Sequence, residues 1–73
     1  MSSRIHRMTR FLEEKRTGFA VARLIMLCGV HVRSYDADSV DNPAELHRVQ
    51  QAVESLLDEP DRRALAKLLS AMD

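Results

Sequence analysis

Residues 19–33 read FAVARLIMLCGVHVR, the one long apolar run of the chain, and whether it is helix or strand decides the fold. On a helical wheel Phe19, Val21, Leu24, Ile25, Met26, Leu27, Cys28 and Val30 take nearly every direction, and only Arg23 interrupts them. A helix that is apolar all round must be covered from several sides. The stretch 24–32, LIMLCGVHV, also suits a buried strand, because a continuous apolar run carries no period to separate the two. With only two Gly and two Pro in 73 residues the chain favours helices over many short strands, and helix is the reading adopted. Gly29 then either ends that helix or lets another helix approach closely.

Around this run the charges are sorted. Residues 1–33 carry seven basic side chains against two acidic ones, a balance of +5, and residues 34–73 carry four against nine, a balance of −5. The net charge of zero thus conceals two opposed halves. Such halves fold against each other, pair copies head to tail, or present a basic arm to an acidic partner.

Outward from the run, three more segments have the helical period, giving expected helices at 3–16, 18–33, 43–58 and 60–72 and a loop at 34–42. In the first, Ile5, Met8 and Leu12 recur at i, i+3 and i+7 beside Phe11, with Arg7, Arg10 and Glu14 turned away and Ser2 or Ser3 as cap. It ends near Thr17-Gly18 or continues as a bent long helix. Asn42-Pro43-Ala44-Glu45 marks the third start: an Asn cap, a proline where its missing N–H is harmless, and a glutamate able to close a capping box. Leu46, Val49, Val53, Leu56 and Leu57 then form one face. Asp58-Glu59-Pro60-Asp61 stops that helix and starts the next, with Asp58 as cap, and Leu65, Leu68, Leu69 and Met72 form the last stripe.

One small core at this length rarely supplies more than about 3–5 kcal/mol. An internal disulfide cannot help, since Cys28 is the only cysteine, and its apolar neighbours make it a buried, inert thiol in a reducing compartment. A second copy is the natural cover for the surplus. The expected fold is therefore an all-α domain, a small bundle of three or four helices completed by homodimerisation. The second helices meet at its centre through Phe19, Ala22, Ile25, Met26 and Val30, and the third and fourth form a hairpin around them.

Chemistry is sparse. An EF-hand loop begun at Asp36 would need an oxygen ligand at Val40, glycine at Asp41 and glutamate at His47, and all three fail. The loop reads instead as a solvated turn whose carboxylates favour the positive end of the following helix. Cys28 and His31 have a Cys-x-x-His spacing without the second pair that structural zinc requires. No phosphate loop, paired-carboxylate cleft or activated nucleophile is visible, so neither an enzyme nor a cofactor is expected. The apolar run is too short to span a bilayer. Glu13 and Glu14 disfavour a signal peptide, and the expected location is cytoplasmic. Nine Arg against two Lys suggests a GC-rich bacterial or phage genome.

Two functions compete. One is a small regulator, adaptor or inhibitor that binds another protein, with Arg4, Arg7 and Arg10 as its recognition residues. The other is a dimeric DNA-binding regulator using the same basic segment against phosphates, disfavoured by neutral overall charge and the absence of helix-turn-helix spacing. The stripe of Ile5, Met8, Phe11 and Leu12 serves as a packing face better than as a membrane anchor.

Overall fold

A computed structural model describes residues 3–16, 19–29, 35, 38 and 40–72, with the backbone alone at Phe19. Its described residues form four helices and no strand: α1 (Arg4–Lys15), α2 (Phe19–Cys28), α3 (Pro43–Leu56) and α4 (Glu59–Ala71). The apolar run is helical from Phe19 to Cys28, and Gly29 closes α2. Gly29 adopts φ +70° and its N–H bonds to the Ile25 carbonyl at 2.9 Å, the left-handed termination that glycine accepts without steric penalty. Among the described residues a Cβ built at Gly29 would meet nothing within 4 Å, so conformation and not close approach of a described helix is the reason for glycine there. Residues 30–33 of the expected helix lie outside the described residues.

The start of α1 is closed by a residue far away in sequence. Ser3 caps it, accepting the His6 N–H at 3.0 Å on Oγ. The Ser3 hydroxyl donates in turn to Asp41 Oδ1 at 2.7 Å, across 38 residues. Asp41 also accepts the Arg4 N–H at 2.6 Å and the Ile5 N–H at 3.3 Å. Three of the four orphan N–H groups of α1 are thereby satisfied, and a carboxylate meets the positive end of the helix. The expected turn, with carboxylates serving the following helix, is corrected at this position. Asp41 serves α1, and Asn42 alone caps α3, accepting the Ala44 and Glu45 N–H groups at 2.9 and 3.3 Å.

The buried core comprises Ile5, Met8 and Leu12 of α1, Val21, Leu24 and Cys28 of α2, Val49 and Val53 of α3, Leu57, and Leu65 of α4. Thr9 is buried with them and returns its hydroxyl to the Ile5 carbonyl at 2.8 Å, which lets a polar residue sit on the inner face of α1. The expected hairpin of the last two helices is replaced by a different arrangement. The principal contacts are α2 with α3, α1 with α3, α1 with α2, and α1 with α4. Only Leu57 and Asp58 separate α3 from α4, yet α4 goes to α1, where Leu65 joins the core and Leu68 and Leu69 pack beside it. Asp58 occupies the cap position of α4 without a side-chain cap bond. Its carboxylate is drawn instead to Arg16, with Nη2 to Oδ2 at 3.1 Å.

Candidate functional site

Two surfaces combine exposure with composition. The first is a groove between α1 and α4, about 380 Å³ in volume, lined by His6, Arg7, Arg10, Phe11, Glu14 and Leu68. One side follows from helical spacing. Positions 6, 7, 10, 11 and 14 flank the buried stripe of Ile5, Met8 and Leu12, so they form the face that borders it. The other side depends on α4 reaching α1. Phe11 and Leu68 are half-buried and rest on the core, while Arg7, Arg10 and Glu14 are exposed. Among the described residues neither Arg7 nor Arg10 is in an ion pair. Lys15 lies over the Phe11 ring, its Nζ 5.6 Å from the centroid, and His6 is half-buried with Nδ1 3.2 Å from the Tyr35 carbonyl oxygen. A carbonyl only accepts, so Nδ1 carries the proton in that bond.

The three arginines expected to act together are thus divided. Arg7 and Arg10 share the groove, whereas Arg4 is half-buried with its N–H held by Asp41.

The second surface is the outer face of α2. Met26 is 83% exposed and Leu27 58% exposed, and Ala22, one turn before Met26, is exposed as well. Of the residues expected at a self-interface, Ala22 and Met26 lie on this face. Ile25 is half-buried against the core of its own chain. The Phe19 side chain and Val30 lie outside the described residues. Leu27 belongs to the face and escaped the sequence reading, because a wheel filled in every direction does not say which side the rest of the chain covers.

The reactive groups are quiet. Cys28 is 5% exposed, and burial pushes its thiol pKa up, outweighing the opposite pull of Arg48. A thiol so placed is a poor nucleophile. Among the described residues no three His, Cys, Asp or Glu side chains gather as a metal site, and His31 lies outside them. No helix of the described residues is long and apolar enough to cross a membrane. Comparison with protein-family models, curated proteins and solved structures finds no match to the chain.

Proposed function

We propose that this chain is a small, non-enzymatic regulatory or adaptor protein of a bacterium or phage, working in the cytoplasm by binding another protein. In this reading it is a symmetric homodimer joined by the outer faces of α2. The supporting observation is the row of exposed Ala22, Met26 and Leu27 on the most apolar helix of the chain. Single exposed apolar side chains are ordinary, but two large ones side by side form the kind of patch that marks interaction. A two-fold axis across α2 sets each copy's Met26 and Leu27 against the other's, an isologous contact needing no further partner. Arg23, exposed on the same face, then lies at the rim with its head in water.

The opposed charge halves need no second chain. Arg16 to Asp58 and Asp41 to the start of α1 are contacts between the halves within one molecule. Asp41 also bears on the choice between protein and DNA. The N–H groups at a helix start are a ready site for a phosphate, and in α1 a carboxylate already holds them. A DNA-binding regulator would be left with arginine side chains alone.

Light scattering on the eluting protein, at low salt and at about 0.5 M salt where exposed charge pairs are screened, tests the dimer. A salt-resistant dimer that Met26→Asp converts to a folded monomer is the expected outcome. Met26 is exposed in the single chain, so the variant loses the interface and keeps the fold. A wild-type monomer at all concentrations rejects the dimer.

A further inference from the structure

We infer that the groove between α1 and α4 binds an acidic amphipathic peptide segment: a carboxylate meets Arg7 and Arg10, and a neighbouring apolar side chain lies on Phe11 and Leu68. This rests on reading the basic first helix as a protein-binding surface, and it adds the chemistry of the partner.

Three observations carry it. First, Arg7 and Arg10 stand at i, i+3 on one helix face, exposed and outside any ion pair among the described residues. Two like charges at that spacing repel, and a carboxylate placed between them relieves the repulsion while filling donor forks suited to it. Second, the floor is apolar and supported. Phe11 and Leu68 come from different helices and rest on the buried core, which holds both sides of the groove. Its 380 Å³ lies at the low end of the roughly 300–1,000 Å³ of ligand clefts, enough for an anchoring side chain and its neighbours.

Third, the groove is electrically directional. Glu14 lines it four residues beyond Arg10, about 6 Å further along the helix axis. A continuous polyanion such as a nucleic-acid backbone laid along the groove would set a phosphate against that carboxylate. A peptide can instead present its carboxylate at the Arg7 and Arg10 end and an amide or ammonium group opposite Glu14. The charge order therefore favours a mixed-charge segment with its acidic end at the arginines over a nucleic-acid strand.

The test is fluorescence anisotropy of the intact protein with labelled peptides of one length. One probe joins a Glu pair to a Leu followed by Lys, a second replaces the Leu by Ala, a third exchanges Glu and Lys, and a labelled DNA duplex is titrated alongside. The first peptide is expected to bind about tenfold tighter than the second or third, a difference of about 1.4 kcal/mol. Arg7→Gln with Arg10→Gln is expected to remove the preference over the third peptide while the helical circular dichroism is unchanged. Equal binding of the Leu and Ala peptides overturns the apolar anchor and leaves a charge-driven protein surface standing. Equal binding of the exchanged peptide overturns the assigned direction. Failure of every peptide overturns the groove, and a duplex that binds more tightly than any peptide overturns the protein-binding reading with it. Changing the probe instead of Leu68 keeps the test independent of any effect of a Leu68 variant on folding.

Discussion

α1 and α2 are neighbours of similar length that resolve opposite sequence problems. α1 is mostly polar, with three arginines and two glutamates in 12 residues, yet Ile5, Met8 and Leu12 are fully buried, Thr9 nearly so, and its first turn is bonded throughout. α2 is almost entirely apolar, yet of its described side chains only Val21, Leu24 and Cys28 are buried, while Met26 and Leu27 face outward. Burial follows which face the other helices reach, not how apolar a helix is. What α1 leaves outside is charge, and what α2 leaves outside is mostly hydrocarbon, with Arg23 beside it.

The sharpest way to break this contrast lies within α2. Leu24→Ala removes a fully buried side chain and should cost about 2–5 kcal/mol, read as a fall in the urea midpoint. Leu27, three residues on, is exposed, and Leu27→Ala should stay within about 0.5 kcal/mol in dilute protein; the proposed dimer predicts a cost that grows as concentration rises. Equal costs in dilute protein would show that the outer face is covered within the chain.

Next in size is the seal on α1. Asp41→Ala strips partners from two backbone N–H groups and the buried Ser3 hydroxyl, with an expected loss of about 1–3 kcal/mol. Faster hydrogen exchange at Arg4 and Ile5 would locate the damage at the start of α1. Asn42→Ala, a local cap, should cost about 1 kcal/mol and act on α3. Asp58→Ala should cost less than either, about 0–1 kcal/mol, because its carboxylate makes only an exposed ion pair with Arg16. That small loss should vanish in high salt.

The smallest effect concerns Cys28. Its thiol pKa is raised in the folded chain, so folding favours the protonated form. The stability this contributes is complete below the ordinary thiol pKa and is lost as pH rises through the raised native value. Urea midpoints should therefore slope down above pH 9, and Cys28→Ala should flatten the slope. An unchanged slope would remove Cys28 as its source.

Local periodicity made much of this fold legible. The stripe Ile5, Met8, Leu12, the Asn42-Pro43 start and the face from Leu46 to Leu57 are all decided within a few residues of themselves. Periodicity does not decide the helical state of residues 19–28, since an apolar run has no telling period, and the left-handed Gly29 that closes α2 could equally be read as a point of close helix approach. Non-local choices were not legible. Asp41 looks like one more carboxylate in an acidic loop, and its bond to a helix 36 residues earlier has no local signature. The Leu65, Leu68, Leu69 stripe tells that α4 has an inner face but not that α1 receives it. Arg7 and Arg10 could be singled out by charge, whereas the groove beside them exists only because Leu68 arrives from α4.

The central claim is that the hydrocarbon left outside by α2 is where two copies meet. The most direct measurement is an isotope-filtered NOE experiment on an equimolar mixture of methyl-labelled and unlabelled chains, read at Met26 and Leu27. Intermolecular cross-peaks from both methyl sets, absent in Met26→Asp, are the predicted result. A spectrum without intermolecular cross-peaks, from a protein tumbling as a monomer at the same concentration, would contradict it.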